Sequence, residues 1–130
     1  MQSQHDMKQS LKHLSALLAR IHKALMEHQM QQRERRTGET LNPATKLNLL
    51  LGDPEFAWLR TLSQLMVLID DAYFQKEPLT ESLITSLRNE VDKLLVQQTN
   101  EEFAKTFNSV APLVPGLQKE LGELRALFYN

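Results

Sequence analysis

Four histidines, one pair of adjacent aspartates and one arginine inside an apolar run are the residues of this chain with chemistry to offer. His5, His13, His22 and His28 stand eight, nine and six residues apart. Two ligands on one helix must be three or four apart to share a face, so these spacings do not make a metal site. No Glu-x-x-His pair is present to build a di-iron bundle centre, and no metal or cofactor is expected. Asp70 and Asp71 could serve as acid and base, but neighbouring helical residues point about 100° apart, and two negative charges suit a helix C-terminus poorly. They read as a solvent-facing helix end, with a link to Arg60 or Lys46 as the alternative. The chain has no cysteine, which removes thiolate catalysis and disulfides. Neither a glycine-rich phosphate loop nor a G-x-S-x-G elbow occurs, and no Ser, His and Asp spacing identifies an acyl-transfer site.

The remaining candidates lie together between Trp58 and Tyr73. Trp58 and Tyr73 read first as core or core-edge aromatics, while Arg60, Gln64 and Asp71 form a narrow polar band on an otherwise apolar helix. That band, together with the polar stretch from His28 to Thr40, is the expected surface for a partner or ligand. A pocket beside Trp58, with Arg60 as anion anchor and Tyr73 or Asp71 as polar partner, is the rival expectation of a small-molecule binder or enzyme.

His5-Asp6-Met7-Lys8 resembles the start of the phospho-accepting segment of histidine phosphotransfer domains, which usually reads His-x-x-Lys-Gly. Gln9 stands where that family has glycine, and the resemblance covers four residues. It implies a helical bundle with His5 as the phosphorylated group.

Positioning these residues falls to helices. The 130 residues include 42% hydrophobic and 24% charged side chains with a net charge of -1. Such a chain is apolar enough to bury a core and lacks the cationic field that nucleic acid requires. The longest apolar run, residues 56–69, is interrupted by Arg60, Thr61, Ser63 and Gln64 and is shorter than the roughly 20 residues of a membrane span. No secretory signal pattern opens the sequence. A cytoplasmic protein is the expectation.

Met7, Leu11, Leu14, Leu18, Ile21 and Leu25 repeat in steps of four and three, predicting one long amphipathic helix to about Arg36 with Gly38 as its stop. Its polar end, with Arg33, Arg35 and Arg36, is expected to project or fray. Asn42-Pro43 predicts a short helix, Asp53-Pro54-Glu55 a second start and a corner, and residues 56–73 a central helix contacted on two or three sides. Thr80 caps the next helix, in which Arg88 and Asp92 are spaced to pair. Thr99 and Glu102 have capping-box spacing. Pro112 and Pro115 are expected in the first turn of a last helix whose stripe is Val114, Leu117, Leu121, Leu124 and Phe128, with Gly116 and Gly122 inside it. The expected fold is all-α: a single helical domain over residues 1–130, antiparallel and four-helix-bundle-like, with one or two extra short helices and with residues 1–6 and 30–40 flexible or projecting. The expected function is contact with a protein partner or with a second copy, as an adaptor or regulator and without catalysis.

Overall fold

The computed structural model describes residues 2–129, and among them every regular element is helical. Six α-helices follow in order: α1 (Gln4–Thr37), α2 (Pro43–Gly52), α3 (Ala57–Phe74), α4 (Glu81–Val91), α5 (Glu101–Val110) and α6 (Leu117–Tyr129).

Local signals place most of the boundaries. The Ser3, Asn42 and Thr80 side chains each accept a hydrogen bond from the backbone N–H three residues on, satisfying one of the donors that a helix start leaves unpaired. Gly38 closes α1 at φ 75°, donating its N–H to the Glu34 carbonyl, a left-handed position that glycine takes without steric cost. A single 3-10 turn, Pro54–Phe56, joins α2 to α3.

The core forms around the pairing of α1 with α3. Met7, Leu11, Leu14, Leu17, Leu18, Ile21, Leu25 and Met30 are buried along α1, and Trp58, Leu59, Leu62, Leu65, Ile69 and Ala72 along α3. The two helices run antiparallel: Lys8 donates to the Tyr73 carbonyl, Ser15 Oγ to Asp70, and Gln29 Nε2 to Glu55. α3 also packs against α2, α4 and α5, and α1 against α6 and α4. It is therefore the central helix, as its apolar breadth implies. Its outer face departs from expectation, however, since Val67 and Leu68 stay more than half exposed.

Four further expectations need correcting. Residues 30–37 do not project: they are the last two turns of α1, Met30 is buried, and Arg33 and Arg36 form ion pairs with the α2–α3 corner. The polar sequence there is used to hold a neighbouring turn. The start of α5 is capped by Asn100, whose side chain accepts from the Phe103 N–H. Thr99 instead closes the preceding helix, its N–H reaching the Lys93 carbonyl. This shift follows from a π-helical turn, Asp92–Gln97, that ends with Gln98 in the left-handed region at φ 58°. Thirdly, Arg88 and Asp92 do not pair. Asp92 stays one helical turn from Arg88, its N–H on the Arg88 carbonyl, but both side chains are taken by other partners: Asp92 accepts from Gln97 and from the Tyr129 hydroxyl at 2.7 Å, while Arg88 donates to the Leu127 carbonyl. Lastly, Pro112 lies in a separate 3-10 turn, Ala111–Leu113, and α6 begins only after Gly116 at φ 78°. Gly122 has open space around its α-carbon rather than a close neighbour.

Candidate functional site

Arg60 has its guanidinium committed to the backbone. Its Nη1 donates to the carbonyls of Leu50 at 2.9 Å and Asp53 at 3.1 Å. Leu50 lies in the last turn of α2, where carbonyls lack intrahelical partners and a cation is favoured by the helix dipole. Arg60 thus closes the end of α2 through one of its three guanidinium nitrogens. Around the same corner, Arg33 sits 3.2 Å from Asp53 and Arg36 2.6 Å from Glu55. The Glu55 N–H, followed by Arg33, holds the Asp53 carboxyl below its ordinary pKa.

Trp58 is buried, with its ring 5.9 Å from that of Phe103 and its indole N–H without a hydrogen-bond partner. One edge borders a hollow of about 400 Å³ between the start of α3 and α5, walled by Pro54, Glu55, Thr61, Glu102 and Thr106. Tyr73 is half-buried at the other end of α3, its ring under the Lys8 ammonium at 5.1 Å and edge-on to Phe74. The structure therefore separates Trp58, Arg60 and Tyr73 into three settings. It keeps Gln64 and Asp71 together on the exposed face of α3, where Val67, Leu68 and Phe74 join them at helical spacing. Asp70, by contrast, accepts a hydrogen bond from Ser15.

The histidines do not converge. His5 and His13 are exposed, and His28 is half-buried. Lys8, the fourth residue of the phosphotransfer-like segment, donates to the Tyr73 carbonyl. Among the described residues no three His, Asp or Glu side chains gather as a metal would require, and no helix is long and apolar enough to cross a membrane.

His22 is half-buried with Nε2 unpartnered, and burial pushes its pKa below the ordinary 6.5. The pairs Ser15–Asp70 and Gln29–Glu55 set a register that brings it level with Ser63 of α3. The folded state consequently binds this proton less readily than the unfolded chain. Stability is complete above about pH 6.5 and falls as the pH drops through and below it. Thermal melts between pH 8 and pH 5 are expected to show a midpoint that declines on the acid side, with a shallower decline in His22→Gln. An equal decline in both proteins would exclude His22 as the cause.

A concavity larger than the hollow beside Trp58 lies elsewhere, in a place the residue types did not single out. α1 and α2 bound a groove of about 680 Å³ lined by Met26, Glu27, Met30, Gln31 and Glu34 on one wall and Pro43, Lys46, Leu47 and Leu50 on the other. No residue of α2 is buried, and Leu47 and Leu51 are 55% and 65% exposed. The run Leu49-Leu50-Leu51 after Lys46-Leu47 carried this signal in the sequence. A ten-residue helix with four leucines and one charge has too little polar surface to face water on all but one side.

Comparison with known family models, with curated proteins and with solved structures returns no match to this chain.

Proposed function

We propose that this protein works through contacts with other proteins, a second copy included, as a helical adaptor or regulator in the cytoplasm, where a chain without cysteine is well suited. The observation that carries the reading is the grouping of its exposed apolar side chains. Single exposed leucines are ordinary on any surface. Here Leu47 and Leu51 are one turn apart on α2, and Val67, Leu68 and Phe74 share the outer side of α3. Contiguous apolar strips edged by polar groups such as Gln64 and Asp71 are the usual mark of an interaction surface.

The scaffold in this proposal is a four-helix-bundle-like arrangement of α1, α3, α4 and α6, with α2 and α5 as the additional short helices. The antiparallel run of α1 and α3, and the ion pairs that join Arg20 of α1 to Glu120 and Glu123 of α6, support it.

Affinity capture with chemical crosslinking tests the reading. Wild type would be compared with Leu47→Ser/Leu51→Ser and with Val67→Ser/Leu68→Ser, exposed changes expected to alter stability by only about 0.5 kcal/mol each. At least one double variant is expected to lose a saturable protein contact that wild type makes. Wild type making no such contact, even with itself, or both variants retaining every contact, would refute it.

A further inference from the structure

We infer that the groove between α1 and α2 is seated by α2 of a second copy of this chain, in a two-fold symmetric dimer. This rests on the protein-contact reading above and names the occupant of one of its surfaces.

The first ground is that α2 is unfinished as a helix in the isolated chain. Ten residues are too few for a helix to be stable in water by propensity alone, and α2 buries none of its side chains fully. Leu49 and Leu50 pack in part against the core, while Leu47 lines the groove and Leu51 is exposed one turn further on. The same helix therefore offers both a groove wall and an apolar ridge of a size to enter such a groove. In a two-fold interface a single patch must supply both parts, since each residue contact is made twice with the partners exchanged. Met26 and Met30 on the opposite wall are unbranched and adaptable, and accept leucine side chains without a preformed shape.

Charge complements a second copy. The α1 wall carries two carboxylates, Glu27 and Glu34, two helical turns apart, whereas α2 carries one charge, Lys46, and no acid. Glu34 already accepts the Leu41 N–H at 2.7 Å. Glu27 is held only by exposed Lys23 at 4.0 Å. Lys46 of the same chain lines the facing wall but forms no ion pair among the described residues, so an incoming α2 sets its Lys46 against Glu27, and the two-fold repeats the Lys46–Glu27 pairing on the other side. Over the whole molecule a net charge of -1 leaves no repulsion to oppose two copies meeting.

Sedimentation equilibrium over a wide concentration range provides the test. Wild type is expected to dimerise, and Leu47→Ser/Leu51→Ser to raise the dimer Kd by about tenfold or more, as exposing a leucine-sized surface implies. Lys46→Glu alone and Glu27→Lys alone place like charges across the two-fold and are each expected to weaken the homodimer about tenfold. Mixing those two variants restores opposite charges at both copies of the contact, so the mixture is expected to regain wild-type dimerisation. That recovery requires the pairing to cross between copies, because no pairing within one chain is repaired by mixing. A monomeric wild type, an undiminished dimer in the leucine variant, or a mixture no tighter than its components would each overturn the inference. If wild type is monomeric yet crosslinking still captures a protein lost with Leu47→Ser/Leu51→Ser, the occupant is wrong and the protein-contact reading stands. With no capture, both fail.

Discussion

Replacing Phe56 by alanine is expected to destabilise the protein by about 3 to 5 kcal/mol. Phe56 is fully buried, the last residue of the 3-10 turn that swings the chain from α2 into α3. Its ring has no solvent route by which the surroundings could relax, because α1, α2 and α3 meet at this corner and the backbone is held by Asp53, Glu55 and their arginine partners. Deleting the ring therefore leaves a cavity as well as losing the transfer free energy of the side chain. Urea unfolding followed by circular dichroism reads the effect as a lowered midpoint with an unchanged slope. A loss below about 1 kcal/mol would show that the corner collapses freely and is not the rigid joint described here.

Arg60→Ala is expected to cost about 2 to 3 kcal/mol, the next largest effect. The substitution removes a charged donor from the carbonyls of Leu50 and Asp53. Hydrogen bonds from charged groups contribute about 1.5 to 3 kcal/mol each, and partial access of water to this half-buried site keeps the total below the sum of two. Arg60→Lys is expected to recover only part of the loss, since a shorter, flexible stem must bring its ammonium to where Nη1 now reaches both carbonyls. Hydrogen exchange discriminates this role from ligand binding. Amides of α2 should lose protection selectively in Arg60→Ala, whereas an arginine reserved for an anion would leave stability and α2 protection as in wild type.

These two residues also show where sequence reasoning and structure diverge. Arg60 reads as a functional charge from its type and its apolar setting. Its actual partners are carbonyl oxygens seven and ten residues earlier in the chain, which no spacing rule reveals because they depend on how tightly the corner folds. Asp92 is a similar case. A spacing of four from Arg88 predicts a pair, but α6 offers both side chains other partners, the Leu127 carbonyl for Arg88 and the Tyr129 hydroxyl, 37 residues away in sequence, for Asp92. That contact, with burial, raises the Tyr129 hydroxyl above its ordinary pKa.

What the sequence by itself determined is the set of helices and most of their ends: the four-three stripe of α1, the Asn42-Pro43 and Thr80 starts, the Gly38 stop and the breadth of α3. Each depends on neighbours within one or two turns, where propensity, capping and periodicity operate. Only the tertiary structure decided which apolar residues stay outside. Leu68 and Ile69 are adjacent and alike in hydrophobicity, yet one is more than half exposed and the other buried, because the helices packed around α3 leave the strip that carries Leu68 uncovered among the described residues. The same holds for α2, whose leucines resemble core residues until the packing leaves Leu47 on an open groove and Leu51 exposed one turn further on. Burial depends on which helices arrive at a face, a property of the whole chain that no local window contains.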